Sequence, residues 1–525
     1  MSIKTFAAVD VGSFESSMKI FEFDRKNHMR EIDYIGRKLD LGSDTYANRR
    51  ISQDKMDELC RTLKEFMDIM KSYKVEAYQA YGTSAIREME NCTIILDQIA
   101  QRTGMQLSVL SNSEQRFLDY KSVASKGEAF RRIIEEKTAV LDIGGGSIQL
   151  SQFDNDTLVS TQNLKLGVLR IQEYLNHASA KSSQYESLIE EMAMAQLATY
   201  KKLYLKDKEI KNIIVVDDYI APWVVKLAKT NAKQGDIKIT DDMCMTPESM
   251  ETFLQLLRGH QLDKLAYQMD IAEEMLPLAF ISAVLIQRIA GMTGAERIYF
   301  PGVTLSDGIA YEYAEKHKLL KDVHDFEQDI VACAMNISKR YMGSRKRAET
   351  LDHITTTIFD SMMKLHGLGK RERLYLRIAA ILHDCGKFIS LTNIGENSYN
   401  IIMATEMIGL SHAERELVAN VVRFNHSKFV YMGQSGVDTP SGGMDKQSYL
   451  TIAKLTAILR LANSLDRSHK QKLKTIKAQL KENQLILSAD TMEDVTLEKR
   501  YFQAGVAFFR EVFSVEPIFR QKKNF

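Results

Sequence analysis

Residues 138–150 read TAVLDIGGGSIQL, an apolar run that ends in Asp142, passes through Gly144, Gly145, Gly146 and Ser147, and resumes as a second alternating run. This spacing predicts a strand, a tight glycine turn and a returning strand. Glycine lets the main chain approach a ligand closely, and a row of free N–H groups in such a turn makes a concavity for anions. A carboxylate at the end of the first strand suits Mg²⁺, which is held by carboxylates together with substrate phosphates. The chemistry on offer is the binding of a phosphorylated ligand with its metal; a plain hairpin would show the same pattern. A second copy of the unit favours the first reading. Residues 5–10, TFAAVD, end in Asp10, Gly12 and Ser13 follow, and residues 16–23, SSMKIFEF, read as the returning strand. Two such hairpins facing each other across a cleft would clamp a phosphate chain from both sides.

A different set of ligand types lies further along. His353 sits early in one predicted helix, IAAILHDCGK at 378–387 carries the adjacent His383 and Asp384, and AILRLANSLD at 457–466 presents Asp466. Imidazole and carboxylate together suit a divalent transition metal such as Mn²⁺, which can activate water for phosphoester hydrolysis. A His-Asp pair in an apolar helix is also a common core pair, but four such residues in order on successive helices favour the metal reading.

These residues need elements to hold them. The first third alternates strands and helices: a helix over 53–73, a strand at 77–81, a loop at 82–87, a helix over 92–102, a strand at 106–110 and a helix starting near Ser113. Strands at 138–142, 147–152, 158–163 and 212–216 and helices at about 182–203, 219–230 and 277–291 repeat the plan, which argues an α/β fold. From about 319 to 472 the periodicity is helical, with turns at 366–369 and 433–436; a hairpin at 476–488 and a final helix over 497–513 close the chain.

A chain of 525 residues exceeds one core and predicts several domains. With 70 basic and 69 acidic residues the net charge is +1, so no global field selects nucleic acid or a membrane surface. No apolar run of about 18 residues is apparent, so no membrane span is expected. Five cysteines without paired spacing exclude a CxxC zinc site and suit a reducing, cytoplasmic setting.

DVGS at 10–13, GTSAIREMEN at 82–91, SEQRFLDY at 113–120, DIGGGSIQL at 142–150 and LKLGVLRI at 164–171 together resemble the exopolyphosphatase and guanosine-pentaphosphate phosphohydrolase (Ppx/GppA) family. GVTLSDGIAYEYA at 302–314 resembles the segment that closes its second lobe, and LHDCGKFI with FFREVFSVEP resembles its long members, which append a helical HD-type domain. The resemblance implies two α/β lobes of the actin, hexokinase and sugar-kinase type, ribonuclease H-like in plan, over 1–133 and 134–315, and a helical HD-type domain over 316–525. It implies Mg²⁺-dependent removal of terminal phosphate from polyphosphate or a guanosine alarmone, in a cytoplasmic homodimer. Carried over by position, Glu114 is the general base, with a helix-capping carboxylate as the alternative. Asp142 holds the metal, Gly144, Gly145, Gly146 and Ser147 present N–H groups to phosphate, and Asp10, Gly12 and Ser13 form the opposing loop. Arg87 pairs a phosphate oxygen or makes a helix-start ion pair. His353, His383, Asp384 and Asp466 match the HD-type single-metal pattern, and two further histidines of related domains fall near Asn397 and His426.

The chain departs from the family pattern at Phe14 and Glu15, at Gln149 where a carboxylate is expected, at Asp217-Asp-Tyr-Ile220 in place of a glycine-threonine loop, and at Glu274-Met-Leu-Pro277. Each departure weakens phosphate or metal binding. Three readings therefore stand: hydrolysis in the cleft, hydrolysis at the HD-type centre, and binding of an alarmone or polyphosphate as a signal without turnover.

Overall fold

The computed structural model describes residues 4–24, 28–155, 157–178, 181–206, 209–230, 237–258, 267, 271, 273, 275–321, 324–432, 445–473 and 475–522. The chain forms two compact units, Met1–Asp325 and Phe326–Phe525.

The first unit contains one sheet plan twice. Strands β1 (Lys4–Val11), β2 (Glu15–Phe23) and β3 (Met29–Lys38) form an antiparallel meander, and β4 (Ala77–Gly82) and β5 (Leu107–Val109) add in parallel on the other side of β1, in the order β3-β2-β1-β4-β5. Strands β6 (Thr138–Ile143), β7 (Ile148–Asp154) and β8 (Thr157–Leu164) repeat the meander, β9 (Asn212–Asp217) and β11 (Arg297–Tyr299) repeat the parallel additions, and the short β10 (Cys244–Met245) extends the edge. The parallel connections pass through helices, as parallel pairing requires. The first core gathers Val9, Met18, Leu59, Leu63, Phe66 and Ile99 between β1, β2 and the helices Gln53–Ser72 and Cys92–Thr103. The second gathers Leu141, Leu150, Val215, Trp223 and Phe253 with the helix Met275–Thr293.

That helix corrects the expectation about apolar runs: its length and hydropathy match a membrane span. Leu278, Ile281, Leu285 and Ile289 along it are buried in the second core, which accounts for its apolar character. The helix Leu305–Lys316 follows the second sheet in sequence but packs on the first, where Ile309, Ala310 and Ala314 join Phe6, Phe21 and Leu118. A Cβ on Gly308 would overlap the backbone of Leu118, so glycine permits this crossing over the helix Asn112–Ala124. All five cysteines are unpaired.

The second unit holds helices from Phe326–Arg340 to Thr496–Phe513 and a small sheet of β12 (Ile476–Lys481), β13 (Gln484–Asp490) and β14 (Glu516–Lys522). The last strand, parallel to β13, follows the helix expected to end the chain. The turn expected at 433–436 and residue Glu274 lie outside the described residues.

Candidate functional site

The two glycine turns occupy equivalent places in the two sheets. Asp10 pairs with Ser17 across β1 and β2, and Gly12 N–H donates to the Glu15 carbonyl at 3.0 Å. Asp142 pairs with Gln149 across β6 and β7, and Gly144 N–H donates to the Ser147 carbonyl at 3.0 Å. Ser13 therefore corresponds to Gly145, Phe14 to Gly146 and Glu15 to Ser147.

In the second turn the carbonyls are spent on a helix. Val168 N–H donates to the Gly144 carbonyl at 3.1 Å, Leu169 N–H to that of Gly145 at 3.0 Å and the Arg170 Nε–H to that of Gly146 at 3.1 Å. These carbonyls satisfy donors that the start of the helix Val168–His177 would otherwise leave open. In a planar trans peptide the N–H points opposite the C=O, so the N–H groups of Gly145, Gly146 and Ser147 face away from that helix. They have no acceptor among the described residues. A Cβ on Gly167 would overlap the backbone of Gly145, Gly146 and Ser147, which explains the glycine there.

The first turn is tied down differently. Ser13 Oγ lies 2.9 Å from both Tyr46 Oη and Ser84 Oγ, and Tyr46 donates to Ser84 at 3.0 Å. The Phe14 carbonyl accepts from Leu39 N–H at 3.0 Å and Asp40 N–H at 2.9 Å. Phe14 packs against the apolar core of the second lobe, which brings the first turn up to that lobe. Glu88 of the first lobe stands 3.7 Å from where a Cβ on Gly146 would lie.

The helix Asn112–Ala124 supplies the remaining side chains. Ser111 caps it: Ser111 Oγ accepts from Glu114 N–H at 3.3 Å, and Glu114 Oε2 accepts from Ser111 N–H at 2.9 Å. Glu114 thus makes the cap that was its alternative role, yet Oε1 has no hydrogen bond among the described residues. Arg87, at the end of the short helix Ser84–Arg87, donates to the Leu110 carbonyl at 2.6 Å and to Gln115 Oε1 at 3.3 Å. Its burial and the neighbouring Arg116 lower its pKa, while the charge of Glu114 opposes this. Arg116, absent from the sequence-based set, is buried and ion-paired with Asp142; it donates to Ser147 Oγ at 2.8 Å and to the Ser147 carbonyl at 3.2 Å. Gln149 is buried and donates to Ser151 Oγ at 3.1 Å.

Acidic groups crowd the cleft. Asp10 is raised well above the usual carboxylate range by burial and by the charges of Asp218 and Glu15. Crowding by the surrounding protein, Glu15 and Asp142 push Asp218, whose own side chain is exposed, up to about 6. Burial also raises Glu15, against a hydrogen bond from Tyr34 Oη at 2.8 Å. Burial and Asp142 raise Asp119. Asp10 Oδ1 is buried without a hydrogen-bond partner. Among the described residues no three His, Cys, Asp or Glu side chains converge as a closed metal cage. Asp142 is neutralised by Arg116, so the groups that suit Mg²⁺, which keeps waters and takes substrate oxygens, are the orphan oxygen of Asp10 and the neighbouring Asp218, with Asp142 at their edge. Asp217 serves the fold: its carboxylate accepts from the N–H groups of Tyr219 and Ile220 and from Ser282 Oγ.

The profile of the Ppx/GppA phosphatase family matches residues 20–314, and that of domain III of the same family matches residues 332–503. The chain belongs to the Ppx/GppA phosphatase family. It is 22% identical over 433 residues to a guanosine-5'-triphosphate,3'-diphosphate pyrophosphatase of Aeromonas hydrophila, covering 81% of each chain. A protein of that name from Vibrio atlanticus is 21% identical, with 80% of each chain covered. Among solved structures, an exopolyphosphatase from Cytophaga hutchinsonii aligns at a TM-score of 0.50 and 16% identity, over 61% of this chain and 100% of that one, a likeness of fold.

In this Ppx/GppA chain the second unit does not assemble the expected metal quartet. His353 is exposed on the helix Arg345–Ser361. The residue of that helix that faces the other three is Arg347. Its NH1 lies 3.1 Å from Asp384 Oδ2, its Nε 3.3 Å from Asp466 Oδ2, and its NH2 donates to Asn463 Oδ1 at 2.7 Å. Lys387 Nζ, 2.9 Å from Asp384 Oδ2, adds a second cation. Two fixed positive charges thus neutralise the carboxylates, and the residues present do not fit a metal. Burial pushes the His383 ring below its usual range. His426 Nε2 lies 2.6 Å from the His383 carbonyl and is spent there, and Asn397 donates to the Thr392 carbonyl at 3.4 Å. Sequence alone offered one signal for Arg347, a basic residue on the inward face of an apolar stripe; the nearer histidine drew the assignment instead.

Proposed function

We propose that this chain is a phosphoanhydride hydrolase that removes the terminal phosphate of polyphosphate or guanosine pentaphosphate in the cleft between its α/β lobes. The observation that carries the proposal is the row of N–H groups at Gly145, Gly146 and Ser147, which have no acceptor among the described residues and aim away from the helix that the Gly144, Gly145 and Gly146 carbonyls cap. The substrate class comes from the names of the relatives, pyrophosphatases of the guanosine pentaphosphate and exopolyphosphatases.

In this reading the terminal phosphate lies on that N–H row, with Arg87 neutralising an oxygen. Glu114 Oε1 orients a water and accepts its proton as the water oxygen bonds to phosphorus and the bridging P–O bond breaks. Orthophosphate and the shortened chain leave. Glu114 Oε2, held by Ser111, fixes the carboxylate so that one oxygen stays aimed. Asp10 and Asp218, with Asp142 beside Asp218, would hold Mg²⁺, which would supply charge neutralisation to the transferred phosphoryl group.

Glu15 favours a second reading, binding without turnover, because it sets a carboxylate where the equivalent turn has Ser147. Phosphate release from both substrates, with Mg²⁺ or chelator, separates the two. Mg²⁺-dependent release unchanged in Asp384→Ala supports the cleft. Calorimetric binding without release supports the second reading, and release abolished by Asp384→Ala moves the chemistry to the helical unit.

A further inference from the structure

We infer that the Arg347 guanidinium stands in for a bound ion at the centre of the helical unit, and that exchanging this side chain for histidine lets a divalent ion enter. His383, Asp384 and Asp466 lie around one guanidinium, although no three such side chains among the described residues converge tightly enough to hold an ion as they stand. His383 Nε2 lies 3.5 Å from Asp384 Oδ2, and one guanidinium reaches both Asp384 and Asp466. The His383 Nδ1 lies 2.8 Å from the Ala380 carbonyl, so Nδ1 carries the hydrogen and Nε2 presents a lone pair. That Nε2 is buried without a hydrogen-bond partner. An imidazole anchored by its other nitrogen to a backbone carbonyl is the supported form of a metal ligand.

The fourth corner is set by the helix Arg345–Ser361, and there the side chain is Arg347, 3% exposed. Two carboxylates and a lone pair that face one another need a cation between them. Arginine supplies one that is planar, forked and always charged. The centre therefore gets from a covalently attached group the charge balance that a bound ion would give. His469 Nδ1, 3.3 Å from the Arg347 NH1, already borders the centre, and Gln471 N–H donates to Asp466 Oδ1 at 2.9 Å. Histidine at position 347 is shorter, vacates the space and adds a second imidazole beside His383, giving a His, His-Asp, Asp set that suits Mn²⁺ or Zn²⁺.

The test uses the full chain. Wild type, Asp384→Asn, Arg347→His and the double variant Arg347→His/Asp384→Asn are incubated with Mn²⁺, desalted and analysed for bound metal, with melting curves in parallel. Wild type retains no metal that Asp384→Asn removes. Arg347→His retains Mn²⁺ in near-stoichiometric amount and melts higher with it, and the double variant loses both. Wild-type metal that depends on Asp384 overturns the inference, as does a folded Arg347→His variant that retains no more metal than wild type. If Arg347→His does not fold, Arg347→Gln removes the charge while keeping an amide for Asn463. Its retained Mn²⁺ rises above wild type if the guanidinium stands in for the ion, and retention at the wild-type level overturns the inference.

Discussion

Arg116 grips both ends of the second glycine turn: its guanidinium is ion-paired with Asp142 at the end of β6 and donates to Ser147 Oγ at 2.8 Å where the turn exits into β7. Arg116 and Asp142 are both buried. Removing one member of a buried pair leaves the other charge unpaired, typically at about 3–5 kcal/mol. Arg116→Met is expected to lower the melting temperature and phosphate release together. Mg²⁺ should restore part of the stability, because a cation at Asp142 replaces the lost charge. Melting curves with and without Mg²⁺ check this, and an unchanged melting temperature would show that the pair contributes nothing.

Glu114 has two tasks that one substitution separates. Glutamine also completes a capping box, so Glu114→Gln keeps the contact to Ser111 N–H but cannot accept a proton. Phosphate release should fall by about 10²–10⁴, the usual contribution of a general base, with the melting temperature unchanged. Glu114→Ala should lose the rate and also about 0.5–2 kcal/mol of cap stability. Equal rates for wild type and Glu114→Gln would leave the carboxylate with the cap alone.

Glu15 stands in the place that Ser147 takes in the other turn, and its charge couples to Asp10 and Asp218. Glu15→Gln keeps an acceptor for Tyr34 Oη while deleting the charge. Relief of roughly 1 kcal/mol of repulsion at close range predicts a several-fold lower KM for an anionic substrate. Kinetics at two salt concentrations tests it, since the gain should shrink as screening rises. A KM that does not move would show that phosphate never approaches this turn.

The double hairpin was legible because its signals are local: an apolar run, an Asp and glycines recur at equivalent points of two strands. The strands β3 and β14 were not legible. Both are edge strands whose charged, half-exposed residues, MREIDYIGRK and EPIFRQK, blur the alternation that marks a strand with one buried face. Arg116 and Arg347 escaped for a related reason. Periodicity sets Arg347 on an inward face but not what it meets there, and only the packed fold shows that it and Arg116 are buried against aspartates contributed by distant segments. Glu114 shows the reverse case, in which the local cap and the cleft chemistry use different oxygens of one carboxylate, so neither reading excludes the other.

The acidic cleft gives the protein a pH dependence opposite to that of a salt-bridged carboxylate. Crowding by protein atoms, Glu15 and Asp142 raise the exposed Asp218 from an ordinary 3.8 to about 6, so between those values the folded state holds a proton that the unfolded chain has released. The slope of stability follows the difference in bound protons, and here the folded state binds more. Stability therefore falls as pH rises through this window and is greatest at its acid end. Asp217, raised to about 7 by burial, adds to the same slope, but its bonds to Tyr219, Ile220 and Ser282 make it unsuitable for substitution. Asp218→Asn removes one titrating group without breaking such contacts. It should flatten the dependence of melting temperature on pH between 4 and 6 and raise the melting temperature at pH 8. Mg²⁺ at pH 8 should stabilise wild type more than this variant, because the ion relieves the repulsion that the asparagine already lacks. Parallel slopes for the two proteins across the window would place the proton uptake elsewhere in the cleft, with Asp10 the next group to replace.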